Sequence, residues 1–174
     1  MCSIFKRWIL NAKLKQLKAD KVATGHCIDD EAETILLNQI KGNAILLAKL
    51  GPKTGITELP GFVQRIKPLY FVTTREVIAY NKALNLPLSL KACPYRPETL
   101  RVKIRNFLMQ LEKQHPEVKR AIVNSFIEIL PLLKKHYSKQ LKQDKRISKC
   151  KRCGQPASAK ICKACLLKEK LGIK

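Results

Sequence analysis

Long apolar runs are missing from this 174-residue chain. Its best attempt, "NAILLAKLG", falls far short of the ~18 apolar residues that a membrane-spanning helix needs, so no membrane partner is expected. The opening "MCSIFKRWIL" has neither an apolar signal core nor a small-residue cleavage site, which points to a cytoplasmic protein. Acids are scarce: 13 Asp+Glu stand against 35 Lys+Arg. Glycine is scarce too, and all seven glycines are isolated. That excludes a glycine-rich loop cradling phosphates with successive backbone amides. No internal repeat or low-complexity tract is visible.

What is present is a folded composition with a strong charge. Hydrophobic residues make up 45% of the chain, and the length allows one full core with a small appendage. The net charge of +22 favours polyanions, of which nucleic acid is the common one; a lysine-biased composition is the plain alternative. The excess is uneven, because Lys134 to Arg152 holds nine basic residues and one acid, Asp144. That stretch is a candidate phosphate-binding surface.

The patterning alternates helix and strand. Phe5, Trp8, Ile9, Ala12 and Leu17 follow helical spacing over Ile4–Ala19, with lysines opposite. "DKVATG" reads as a short strand with Val22 and Ala23 inside. "DDEAETILLNQIKGN" reads as a helix capped by Asp29 or Asp30, with Asp30 and Glu33 at capping-box spacing. Ala32, Ile35, Leu36 and Ile40 line one face, and Gly42 stops it. Residues 51–71 read as a loop with one strand near Val63–Ile66. "TTREVIAYNKALNL" is a further helix capped by Thr73 or Thr74, and "PLSLKACPY" is extended. Helices over 98–114 and 117–135 follow, with Pro116 at a helix start, and then a basic linker. Helix–strand–helix around a glycine turn belongs to an α/β layered fold. One convincing strand cannot make a parallel sheet alone, so the pattern reads as part of such a fold.

Four of the seven cysteines fall in the last 25 residues, as "CKRCGQPASAKICKAC". Cys150-x2-Cys153 and Cys162-x2-Cys165 form two knuckles, each presenting two thiolates to one tetrahedral ion, and zinc is the expected metal. Only 24 residues follow Cys150, so metal is what would fold this segment. It could act as a structural staple, as a basic knob touching RNA, or as both. Elsewhere, "ATGHCIDDEAET" sets Gly25 and His26 at the C-terminal end of a strand, the edge where open α/β sheets bind ligands. Asp29 or Asp30 could serve there as acid, base or metal partner. Acids in a first helical turn equally suit the helix dipole, and His26 reads more simply as a turn residue.

That stretch resembles the "GHNxDDxAET" signature of the TtcA/TtuA family of tRNA thiolation enzymes, which are PP-loop ATP pyrophosphatases. "KACPYRPETLRVKIRNFLMQLEKQHPEVKRAIVNSF" resembles the segment around the family's later active-site cysteine, and the four-cysteine ribbon resembles the TtuA and cytosolic wobble-uridine branch. The resemblance runs over essentially the whole chain. It implies the C-terminal part of a Rossmann-like PP-loop domain over 1–95, a helical extension over 96–146 and a four-cysteine zinc ribbon over 147–174. It also implies that Lys6 and Gly25 lie near ATP, with magnesium, and that Asp30 and the cysteines Cys2 and Cys93 are catalytic. "CSIFKRWILN" matches the second cysteine of a C-x2-C pair and the helix beyond it.

By the same resemblance, ATP adenylates the C2 oxygen of a tRNA uridine and a sulfur nucleophile displaces AMP. Cys2 and Cys93 would be two ligands of a [4Fe-4S] cluster, the third coming from an N-terminal half; a persulfide relay between the same cysteines is the alternative. The departures are the absent "SGGxDS" phosphate loop and Cys27, where the family often has asparagine. The expectation is therefore the C-terminal half of a split or truncated sulfurtransferase working with an N-terminal polypeptide that carries the loop. Further expected partners are tRNA and a ubiquitin-like sulfur carrier, with homodimerisation of the complete enzyme. The competing classes are a non-catalytic zinc-ribbon tRNA-binding module and a decayed remnant.

Overall fold

The computed structural model describes residues 2–56, 61–87, 93, 98–143 and 148–173. In chain order the elements are α1 (Cys2–Gln16), β1 (Lys21–Ala23), α2 (Ile28–Ile40), α3 (Ala44–Leu47), β2 (Gln64–Ile66) and α4 (Thr74–Ala83). They continue with α5 (Leu100–Gln114), α6 (Val118–Gln143), β3 (Ser148–Lys149), β4 (Pro156–Ala157) and α7 (Lys163–Lys170). Strands β1 and β2 pair in parallel, with Val22 opposite Arg65. Parallel neighbours need a long crossover, and α2 and α3 supply it. The strand expected near Val63–Ile66 is thus present, and it completes a two-stranded α/β unit.

The core forms where α2, α5 and α6 meet. Ile28, Ala32 and Ile35 of α2 pack against Leu47, Tyr70, Ile104, Leu108, Val123, Phe126 and Leu130. Ala32 and Ile35 stand where the helical pattern puts them, and Leu36 is partly buried beside them. The helical segment expected over 96–146 shares this core rather than standing apart from it. Gly51 (φ +115°) runs so close that an added Cβ would sit 2.8 Å from Leu130 Cδ2, a position only glycine fits.

Several expectations are corrected. Val22 is only half-buried and Ala23 is exposed, because the sheet is two strands wide among the described residues and its face is open. Ile9, Leu17 and Ile40 are 57%, 65% and 57% exposed; of the α1 stripe only Phe5, Trp8 and Ala12 are half-buried, and Ile40 lies in the last turn of α2. The cap of α2 is Cys27, in extended conformation. Asp30 sits at the third helical position and accepts from the Cys27 amide at 3.3 Å, so the capping box begins three residues earlier than Asp30–Glu33. Thr73 caps α4 as expected, its hydroxyl accepting from the Glu76 amide at 3.1 Å. Lys41 ends α2 and Gly42 follows at φ +63°, the left-handed turn that closes helices.

Helix α6 begins at Val118 rather than at Pro116, after Glu117 in a left-handed conformation (φ +69°). The Glu112 side chain caps it, accepting from the amides of Glu117 and Lys119 at 3.2 and 3.1 Å. The helix holds Pro131 within it and runs on to Gln143, eight residues past the expected end. Residues 136–143 include no glycine or proline, and their lysines and glutamines favour helix, so the first part of the expected basic linker is helical. Of the extended segment "PLSLKACPY", all but Pro87 and Cys93 lies outside the described residues. Among the described residues no helix is long and apolar enough to cross a membrane.

Candidate functional site

Two sites take shape, one at the end of β1 and one in the ribbon. Past β1 the chain is held to β2 by the Thr24 amide, which donates to the Ile66 carbonyl at 3.0 Å. His26 Nδ1 lies 3.0 Å from the Thr24 hydroxyl, a turn contact as the simpler alternative had it. Gly25 is exposed, its backbone is not left-handed, and an added Cβ there would meet nothing within 4 Å. Among the described residues neither packing nor backbone conformation demands glycine at that point.

The two aspartates that follow have different tasks. Asp29 accepts from the Thr74 amide and from Lys119 Nζ, both at 2.7 Å, which ties α2 to α4 and α6. Burial pushes its carboxyl up, but the hydrogen bonds from Lys119 and Thr74 outweigh that and hold it below the usual carboxylate range. Asp30 closes the helical turn on Cys27 and carries no ion pair among the described residues. Cys27 is buried, and burial pushes its thiol up, partly offset by the Thr74 hydroxyl 3.1 Å away.

One turn further along α2, Glu33 is buried and accepts from Arg101 Nε at 3.2 Å and from Arg105 Nη2 at 2.9 Å, with Arg105 Nε also bonded. Arg101 reaches the Thr34 hydroxyl and, at 3.4 Å, the Asp30 carbonyl. These contacts bracket an open cleft of about 700 Å³ lined by Gly25, Cys27, Asp29, Asp30, Glu33, Thr74, Arg75, Arg105 and Lys119, among others. Gly25 and Asp30 therefore share one cleft. Cys2, Lys6 and Cys93 do not line it. Cys2 and Lys6 lie four residues apart on α1, hence on one helical face. Cys2, Lys6 and Cys93 are all exposed.

Sequence reasoning passed over Lys119, Arg101 and Arg105. The four-residue spacing of the two arginines, placing both on one face of α5, was a signal; their acidic partner on α2 was not readable. Lys119 gave none, being one lysine among many.

In the ribbon, Cys150 follows β3, which pairs antiparallel with β4, and Cys162 caps α7, its sulfur accepting from the Cys165 amide at 3.4 Å. Gly154 takes φ +67° and donates its amide to the Cys150 carbonyl at 2.9 Å, making the first knuckle. The four sulfurs lie within 4.8 Å of one another. Cys150–Cys165 and Cys153–Cys162 are 3.9 and 3.7 Å apart. Zn–S bonds of ~2.3 Å in a tetrahedron require S···S edges of about 3.8 Å, so this donor set fits zinc in number, type and spacing. The amides of Cys162 and Cys153 lower the Cys150 thiol to about 6, whereas burial raises those of Cys162 and Cys165. Four thiols so close cannot all ionise without a cation between them.

No family model matches the chain. The tRNA 2-thiolation protein NcsA of Haloferax volcanii is 32% identical over 98% of this chain and 54% of its own. The tRNA-5-methyluridine(54) 2-sulfurtransferase of Pyrococcus horikoshii is 35% identical over 94% of this chain and 51% of its own. The cytoplasmic tRNA 2-thiolation protein 1 of Caenorhabditis elegans is 33% identical over 98% and 43%. Among solved structures, the U34-tRNA thiolase NcsA from Methanococcus maripaludis, determined with its [4Fe-4S] cluster, matches 99% of this chain at 32% identity with a TM-score of 0.72. The chain is homologous to part of the tRNA 2-thiolation proteins. It spans about half the length of the curated relatives it matches. The matched stretch takes in both the cleft of Gly25 and Asp30 and the ribbon.

Proposed function

We propose that the chain is a tRNA 2-thiolation sulfurtransferase in part, acting in the cytoplasm as the C-terminal portion of a Rossmann-like PP-loop domain (1–95), a helical extension (96–146) and a zinc ribbon (147–174). The observation that carries this is the likeness to a U34-tRNA thiolase over 99% of the chain, at 32% identity and a TM-score of 0.72. In this assignment ATP lies against the sheet edge at Gly25, where an open backbone lets a nucleotide approach, with Lys6 nearby and Asp30 serving as the free acid. Adenylation joins the uridine C2 oxygen to the α-phosphorus and releases pyrophosphate; sulfur then bonds to C2 while the C2–O bond breaks and AMP leaves.

Cys2 and Cys93 are the sulfur-handling residues. Both are exposed, the condition a thiol needs to exchange sulfur with a carrier. They would supply two ligands of a [4Fe-4S] cluster whose third comes from outside these residues. Bound there, the cluster supplies an iron position open to sulfur. A ubiquitin-like carrier suits the delivery of that sulfur, and tRNA suits the +22 charge. The phosphate cradle comes from a segment or partner polypeptide bearing the SGGxDS loop, and the complete enzyme is a homodimer. The ribbon holds zinc on Cys150, Cys153, Cys162 and Cys165.

A second reading, a non-catalytic RNA-binding ribbon, draws on the exposed Lys151, Arg152, Lys160 and Lys163 around the knuckles. Anaerobic co-expression with the loop-bearing polypeptide from the same genome separates the two. Bound iron and ATP-dependent tRNA thiolation, lost in C2A, C93A and D30A with tRNA binding intact, are the expected result. Zinc and tRNA binding without iron or thiolation would leave the ribbon reading standing and overturn the enzyme.

A further inference from the structure

We propose that Trp8 ties the ribbon's metal site to the helix that carries Cys2, so that filling the ribbon sets how that helix is held. The Trp8 indole Nε1 lies 3.4 Å from Cys153 Sγ. Indole nitrogen only donates, so the sulfur accepts, and a thiolate holding a metal accepts more strongly than a thiol. Lys168 of α7 places Nζ 5.4 Å from the centre of the same ring. Three residues on, and so on the same face of α1, Asn11 is the one buried residue of this helix. Its amide donates to Gln155 Oε1 at 2.6 Å and to the Gly61 carbonyl at 3.3 Å. Gly61 in turn leaves no slack, since an added Cβ would sit 2.9 Å from Pro156 Cγ.

Among the described residues the hydrogen bonds that hold the middle of α1 converge on Trp8 and Asn11, whose Oδ1 also accepts from the Val63 amide at 3.4 Å. Ile9 and Leu10 are 57% and 37% exposed, and α7 is the helix it packs against. The grip at Trp8 and Asn11 therefore orients α1. Cys2 lies six residues before Trp8, about 9 Å along the helix axis at 1.5 Å per residue, so freeing that grip frees Cys2. The inference rests on the ribbon holding zinc, and its test keeps the two apart.

The full chain is purified anaerobically with zinc and compared with the same chain after chelation. Trp8 is the only tryptophan, so its emission should shift to the red on zinc removal. Hydrogen exchange in residues 2–12 should rise about tenfold while α6 exchange stays unchanged. W8F keeps an aromatic ring, smaller than the indole, and removes the N–H; competition against a chromophoric chelator should show zinc affinity about tenfold weaker, the usual loss for a partner of a metal ligand. N11A, which removes no hydrogen bond to a cysteine, should speed exchange in residues 2–12 with zinc bound. A chain that binds no zinc overturns the metal assignment of the ribbon and this inference together. With one zinc per chain, either an unchanged exchange of residues 2–12 on zinc removal or a wild-type affinity in W8F overturns this inference alone.

Discussion

Glu33 is the residue whose substitution should disturb the fold around the cleft most. Its side chain is 5% exposed, and the carboxylate faces Arg101 and Arg105. E33Q preserves the volume but replaces an acceptor oxygen with an amide that points donors at guanidinium donors. Charge-assisted hydrogen bonds contribute about 1.5–3 kcal/mol each, and breaking a fully buried pair costs about 3–5 kcal/mol. The arginine side chains are 41% and 32% exposed, so water recovers part of the loss, and about 2–3 kcal/mol of destabilisation is expected. Urea unfolding followed by far-UV circular dichroism measures it. A cycle with R105M should show a coupling of about 1–2 kcal/mol, since residues sharing one network do not add. A loss below about 1 kcal/mol, or additivity within about 0.5 kcal/mol, would refute the view that this pair ties α2 to α5.

Other consequences are open to measurement. Because Asp29 is held below the ordinary carboxylate value of about 3.9, its contribution is complete above that pH and fades as pH falls through the lowered folded value. K119M should therefore flatten the acid limb of the stability–pH curve below about pH 5, and an unchanged limb would show that Lys119 is not the cause. L108A, deleting a side chain that is 1% exposed, should cost about 2–5 kcal/mol in the same urea assay. Chelation should remove one zinc and unfold the ribbon while the main core survives, visible as lost exchange protection confined to the ribbon and the α1 segment it grips. Iodoacetamide should label exposed Cys2 and Cys93 well before buried Cys27; equal rates would contradict the closed position of that thiol.

Most helices were legible because their cues are local. The spacing of Ala32 and Ile35, the Thr73 cap and the Gly42 stop each concern residues within a turn or two of one another. The ribbon was legible for the same reason, since two C-x2-C pairs carry their ligand spacing in the chain itself. Gly25 and Asp30, five residues apart, necessarily fall near one sheet edge once the strand and helix are recognised. The misassigned cap of α2 shows where local cues end. Cys27 is a poor cap by residue type, so Asp29 or Asp30 reads as the cap; in the fold Asp29 bonds Lys119 and the Thr74 amide, and Asp30 sits at the third helical position, accepting from the Cys27 amide.

By itself the sequence determined the order of the five longer helices and of the two strands that pair in parallel, the basic charge and the four-thiol cluster, all of which depend on neighbours in the chain or on totals. It also carried the motifs that point to tRNA thiolation. The tertiary structure alone decided the parallel pairing of Lys21–Ala23 with Gln64–Ile66, the separate tasks of Asp29 and Asp30, the enclosure of Glu33 by two arginines and the grip of Trp8 on Cys153. Each joins residues dozens to more than a hundred positions apart. Such contacts leave no periodic trace, because a hydrogen bond or ion pair constrains only the two places where the folded chain meets itself.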